Sequence, residues 1–191
     1  NNNDICKELN YEIKKIGEIK IYCVETSATT HEDLLYNIRK LYADIEENDL
    51  YKKFNKYGMY GIFVRNKNGY LYYVGSKEKY EDTTDNVIGT INMKDLLLYD
   101  NTKEFIIPEG RYVIFSSNSR NQKDIVKTEK MIYTQWLQST NYDIDDEFNF
   151  ELYTRDNCYL YMLIKDKQNW FQLSLSLFFL FNYNKNKVMN K

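Results

Sequence analysis

Histidine occurs once in this chain, at His31, proline once, at Pro108, and cysteine three times, at Cys6, Cys23 and Cys158. Each scarcity removes a class of function. A structural or catalytic metal centre needs cysteines or histidines paired at short spacing; that pattern is missing, so no metal or other cofactor is expected, and His31, near a helix start, is expected to be exposed and inert. Three distant cysteines make no disulfide framework and fit a reducing, cytoplasmic setting. Lysine and arginine number 26 against 28 acidic residues, a formal charge of -2. No basic stripe or helix-turn-helix pattern accompanies them, which excludes a standalone nucleic-acid binder, since phosphate neutralisation needs a concentrated basic face. The apolar stretch from Trp170 to Tyr183 is broken by serines and falls short of the ~20 residues of a membrane span. There is no signal-peptide pattern and no initiator methionine, so the chain is expected to be a piece cut from a longer protein.

Aromatic residues, by contrast, are abundant: 16% of 191 residues, with 19 tyrosines. Together with 43% hydrophobic content this supports a folded protein with one good core or two small ones. Aromatic rings bring large contact area with few rotors to freeze, so they suit pockets as well as cores.

The periodicities predict an α+β chain. Tyr11 to Glu25 reads as strand material interrupted by Gly17. Thr29-Thr30-His31-Glu32 has capping-box spacing, and Leu34, Leu35, Ile38, Leu41, Tyr42 and Ile45 form a helical stripe to about Glu47. Two strand-like runs, Tyr57 to Val64 and Tyr70 to Val74, are joined by Asn66-Lys67-Asn68-Gly69, a hairpin signal because Asn and Gly tolerate positive φ. The order then repeats. Phe105 to Phe115 is extended, with Pro108 confined to an edge or turn. Ser119-Arg120-Asn121-Gln122 is a second capping box, Ile125, Ile132, Tyr133, Trp136 and Leu137 a second stripe, and another hairpin follows. Strand, helix and hairpin thus recur at an offset of roughly ninety residues, which predicts two copies of one unit related by a pseudo-twofold axis with a cleft between them. Asp143, Asp145, Asp146 and Glu147 lack the glycine and terminal glutamate of a calcium loop and read as a solvated surface loop.

The second hairpin carries the candidate chemistry. Glu151 stands in a strand otherwise made of Phe148, Phe150, Leu152 and Tyr153, where an acid is costly unless something pairs with it. Taking Arg155-Asp156-Asn157 as a three-residue loop, Glu151 is expected opposite Tyr161 and Tyr153 opposite Tyr159, with Phe150, Leu152, Leu160 and Met162 on the reverse face. A carboxylate among tyrosine rings suits a flat or cationic organic molecule; a solvated strand face is the alternative reading.

Tyr60-Gly61-Ile62, Tyr72-Tyr73-Val74-Gly75, Ile107-Pro108-Glu109-Gly110-Arg111-Tyr112, Tyr133-Thr134-Gln135-Trp136-Leu137 and Phe150-Glu151-Leu152-Tyr153 together resemble the GyrI-like effector-binding domain over about Tyr11 to Lys165. The resemblance implies duplicated βαββ units forming an antiparallel sheet with two main helices and a central ligand cleft, as in the sensor half of bacterial AraC-type and MerR-type transcription regulators that bind multiple drugs. The expected division is a tail over 1–10, an effector-binding domain over 11–167 with repeats at about 11–78 and 105–165, and an extension of unassigned role over 168–191. The resemblance places the ligand-facing acid at Glu151. Tyr112 and Trp136 fall where aromatics border the cleft, with a core position as the alternative for Trp136; Tyr60 and Tyr72 are carried over with the first hairpin's register open by one residue. Ligand-binding candidates are therefore Glu151, Tyr153, Tyr159, Tyr161, Trp136, Tyr112, Tyr60 and Tyr72. The expected partner is a small organic ligand, with DNA reached only through a fused or partner domain, no membrane, and a homodimer left open. The alternative implied by the resemblance is a hydrolase of electrophilic small molecules using Glu151 as general base.

Overall fold

The computed structural model describes residues 9–47, 50–56, 58–77 and 102–167. Most of the connection from Lys79 to Glu104 and the apolar stretch after Lys167 lie outside them, as does Cys6. The described residues form β1 (Tyr11–Ile16), β2 (Ile19–Ala28), α1 (His31–Glu47), α2 (Leu50–Lys56), β3 (Met59–Asn66), β4 (Gly69–Ser76), β5 (Lys103–Ile107), β6 (Gly110–Ser116), α3 (Gln122–Met131), a π-helical turn (Ile132–Trp136), α4 (Leu137–Ser139), β7 (Tyr142–Tyr153) and β8 (Cys158–Asp166). No helix among them is long and apolar enough to cross a membrane.

The strands make one antiparallel sheet of eight, in the order β1-β6-β8-β7-β3-β4-β2-β5. Its centre is symmetric. The first unit, β2-α1-β3-β4, and the second, β6-α3-β7-β8, lie back to back across the β3–β7 seam, as the repeat in the sequence predicts. The leading strands are exchanged, however: β1 pairs with β6 of the second unit and β5 with β2 of the first. Only Gly17 and Glu18 separate β1 from β2, a joint that reaches at most about 11 Å, whereas six strand spacings in a flat sheet would hold them about 29 Å apart. The sheet must therefore curl until its two ends meet. In effect β1–β2 and β5–β6 are two long bent strands running side by side, with Pro108 and Glu109 at the second bend.

Curling gives the sheet two buried faces. Inside the curl, Ile21, Cys23, Tyr60, Ile62, Ile107, Tyr112, Ile114, Phe148 and Phe150 form one core. On the outer face the helices build two more. Leu34, Leu41, Ile45, Leu50 and Phe54 of α1 and α2 pack on Val24, Met59, Tyr72 and Val74; Ile125, Ile132 and Trp136 pack on Val113, Phe115, Leu160 and Met162. Because each helix sits on its own unit, the seam between them is left open.

Both helix starts are capped one or two residues later than the capping boxes suggest. Thr30, not Thr29, receives the Asp33 amide at 3.2 Å, and its hydroxyl donates back to Asp33. Asn121 caps α3 by accepting from the Lys123 amide at 3.0 Å, while Ser119 donates to Asp124. In both cases a side chain nearer the helix supplies the same satisfaction of first-turn amides. The first hairpin closes as expected, with Gly69 at φ +130°. Asp143, Asp145, Asp146 and Glu147 are not in a loop; they belong to β7, at a register irregularity between Ile144 and Asn149.

Candidate functional site

Over the β3–β7 seam, between α1 and α3, lies a cleft of about 540 Å³, within the size range of small-molecule sites. One wall is the His31, Leu34, Leu35, Ile38, Tyr42 face of α1, and the other is Gln122, Val126, Glu129 and Tyr133, both at helical spacing. The change from α to π winding at Ile132, where the Leu137 amide bonds to the Ile132 carbonyl, leaves Ile132 and Trp136 in the core and Tyr133 on the cleft wall. The floor is Gly61, Phe63, Tyr70, Tyr72, Glu151 and Tyr153.

Glu151 is the centre of this floor. Tyr153 donates to its Oε2 at 2.6 Å and Tyr72 to the same oxygen at 3.4 Å, while the Tyr42 and Tyr72 hydroxyls lie 3.3 Å apart. Burial pushes the Glu151 carboxyl above the ordinary carboxylate range, opposed by the hydrogen bonds from Tyr153 and Tyr72. Burial also raises the phenols of Tyr42, Tyr72 and Tyr153, so they remain protonated donors at neutral pH. Gly61, paired with Glu151 across the seam, makes the floor possible: a Cβ there would stand 2.3 Å from Tyr72 Oη. Arg65 pairs with Asp146 at 3.3 Å at the rim. Arg120 lies against the Tyr153 ring, 5.7 Å from its centroid, and donates to Tyr51. His31 is exposed, as expected, but lines the cleft, its ring in a T-shaped arrangement with that of Tyr70 and the centroids 5.9 Å apart.

Of the eight residues singled out from sequence, the structure brings Glu151, Tyr153 and Tyr72 together in this cleft. The other five lie elsewhere. The pairing is Glu151 with Leu160 and Tyr153 with Cys158, not with Tyr161 and Tyr159. The connection spans 154–157, held by the Thr154 amide donating to the Asn157 carbonyl at 2.9 Å, one residue longer than the predicted loop. That single residue turns Tyr159 and Tyr161 to the inside of the curl with Phe150 and Leu152, and brings Leu160 and Met162 to the face of Glu151. Tyr60 and Tyr112 also point inside, the latter donating to the Pro108 carbonyl at 2.8 Å. Trp136 is a core residue, 1% exposed. Tyr60 and Tyr161 line a separate hollow of about 400 Å³ beneath the β1–β2 joint, with Lys15 and Lys77 at its mouth. Among the described residues no group of acids, cysteines and histidine could hold a metal ion.

The sequence reading missed Glu129. Burial first, and then the charge on Glu151, push its carboxyl up to about 7. The signal was the one used for Glu151, an acid aligned with apolar neighbours: Val126 and Tyr133 flank it at helical spacing.

Comparison with known proteins gives three findings. The family model of the GyrI-like small molecule binding domain matches residues 9–160. No curated protein matches the chain. Among solved structures, SAV2435 bound to tetraphenylphosphonium superposes with a TM-score of 0.61 at 11% identity, over 82% of this chain and 94% of that one. A protein of Staphylococcus aureus MU50, described as a candidate bacterial transcription regulation protein, gives 0.61 at 10% identity over 82% and 98%. The integron cassette protein VCH_CASS2 of Vibrio cholerae gives 0.56 at 14% identity over 81% and 95%.

Proposed function

The chain belongs to the GyrI-like small molecule binding domain family, and from that premise we propose that its cleft takes a lipophilic cation, with Glu151 as counter-charge, as the sensing module of a cytoplasmic bacterial transcription regulator. One observation carries this reading: a desolvated carboxyl at the floor of a ring-lined cleft, held by two phenols on a single oxygen. An ionised carboxylate in such a place is unfavourable until a cation joins it. The rings of Phe63, Tyr70, Tyr72 and Tyr153 line the same space, and each desolvated contact between a ring face and a cation contributes about 2 kcal/mol. A few such contacts, less the entropy of association, reach micromolar affinity. The lips are greasy as well: Leu35 is 45% and Val126 50% exposed, so the cleft favours a cation wrapped in hydrocarbon over a hydrated one. SAV2435, which shares the fold, is bound to tetraphenylphosphonium, a molecule of that chemistry. The regulator role follows the candidate transcription protein of the same fold, with DNA reached through another domain.

The test is a titration of tetraphenylphosphonium followed by intrinsic fluorescence. Glu151→Gln keeps the shape and removes the charge, and is expected to weaken binding at least about tenfold. Equal affinity in the two proteins would remove the counter-charge role. Turnover of an electrophile that Glu151→Gln abolishes while binding persists would favour hydrolysis instead.

A further inference from the structure

We propose that Glu129 is a second counter-charge of the cleft and that its preferred ligands are organic dications, an aromatic cation seated over Glu151 with a second positive centre directed to the α3 wall. This rests on the cleft reading above and narrows its ligand class.

Charge must balance in a confined space. Glu151 approaches the cleft from the sheet and Glu129 from the helix opposite, so the two acids sit on different walls of the same 540 Å³ space. Among the described residues neither has an ion pair. The cations nearby are committed: Arg65 to Asp146, and Arg120 to the Tyr153 ring and the Tyr51 hydroxyl, outside the lining. The remaining titratable groups facing the space are His31 and Tyr42 from α1, Tyr70 and Tyr72 from β4, Tyr153 from β7 and Tyr133 beside Glu129. With the Arg65–Asp146 pair self-neutralising, Glu151 and Glu129 leave two uncompensated negative charges on the cleft when both are ionised. A monocation compensates one and leaves the other to be protonated; a dication compensates both. Both carboxyls line this one space, so a single small molecule seated in it meets the two together. Tyr133, half-exposed next to Glu129, supplies a ring for the second centre.

Ethidium and propidium test this, because they share one phenanthridinium ring and differ by the quaternary ammonium arm of the second. Both are titrated by dye fluorescence into the full chain at about pH 8, above the value of about 7 to which the Glu129 carboxyl is raised, with circular dichroism verifying the fold of each variant. The wild type is expected to bind propidium about tenfold more tightly than ethidium, the contribution of a second charge pair in a half-open site. Glu129→Gln is expected to bring the affinities of the two dyes within about twofold of each other, and Glu151→Gln to weaken both. Ethidium binding without a propidium preference, or a preference that survives Glu129→Gln, overturns the dication assignment alone. Failure of both dyes to bind overturns it together with the cleft reading.

Discussion

Replacing Gly61 by alanine is expected to unfasten the floor of the cleft without altering a charge. The new Cβ would lie 2.3 Å from Tyr72 Oη, 3.1 Å from Tyr72 Cζ and 3.2 Å from Glu151 Oε2. Carbon contacts settle at about 3.5–4.0 Å, so the Tyr72 ring must withdraw by about 1 Å. It is 8% exposed and packed in the core under α1, so this movement disturbs its neighbours. Its hydroxyl lies 3.3 Å from that of Tyr42 and 3.4 Å from Glu151, already near the limit of hydrogen bonding, and such a displacement breaks at least one of these. Overpacking costs about 1–3 kcal/mol and each lost hydrogen bond about 1 kcal/mol, which makes a loss of about 2–3 kcal/mol the central expectation. In a chain of this size that lowers the thermal midpoint by about 4–12 °C. The decisive assay is a double-mutant cycle by thermal or urea unfolding. Tyr72→Phe removes the atom that clashes, so Gly61→Ala is expected to cost less in the Tyr72→Phe background than in the wild type, with a coupling of at least about 0.5 kcal/mol. An unchanged midpoint in Gly61→Ala, or strict additivity of the two substitutions, would refute the account of why a glycine stands there.

Three further predictions follow from the same geometry. Tyr153→Phe removes the shortest hydrogen bond to Glu151, 2.6 Å, and is expected to raise that carboxyl further and weaken tetraphenylphosphonium binding about tenfold, since a bond to a charged acceptor is worth about 1.5–3 kcal/mol; calorimetric titration reads this directly. Glu129, raised from 4.5 to about 7 in the folded protein, binds its proton more tightly folded than unfolded. Its contribution to stability is therefore present below about pH 4.5 and is lost as pH rises to about 7. Melting midpoints across that interval are expected to fall less steeply in Glu129→Gln than in the wild type, and identical slopes would contradict the assignment. Tyr161→Phe, inside the curl and on the opposite face from Glu151, is expected to leave cation affinity within about twofold, whereas a role for Tyr161 in the cleft would show as a larger loss by fluorescence titration.

The duplicated units, the two helix stripes and the acid at Glu151 were legible because each is a local signal: a period, a cap, or a charge among rings. The side of the sheet facing the cleft was less so. Alternation identifies a strand's inner face only when the other face meets water, and here the curled sheet is covered on both. Tyr60, Tyr112 and Tyr161 therefore carry the same aromatic signature as Tyr72 and Tyr153 while packing on the opposite side. The Thr154–Asn157 hydrogen bond added the last error, because a loop longer by one residue reverses every side chain beyond it. The crossing of β1 and β5 to the far unit had no local signature at all; it depends on the curl, which only the long-range pairings reveal.

That exchange of leading strands is the wiring of two half-length chains that embrace each other, here joined into one. Two identical halves would obey the axis strictly, and the hairpin pairings superpose Phe63, opposite Tyr72, on Glu151, opposite Leu160. Perfect symmetry would set either two acids or two phenylalanines at the floor: mutual repulsion in the first case, no anchor in the second. Covalent fusion frees the halves to differ, so that one keeps a ring where the other presents a charge. The pocket is thereby given a polarity that a strictly twofold scaffold would lack.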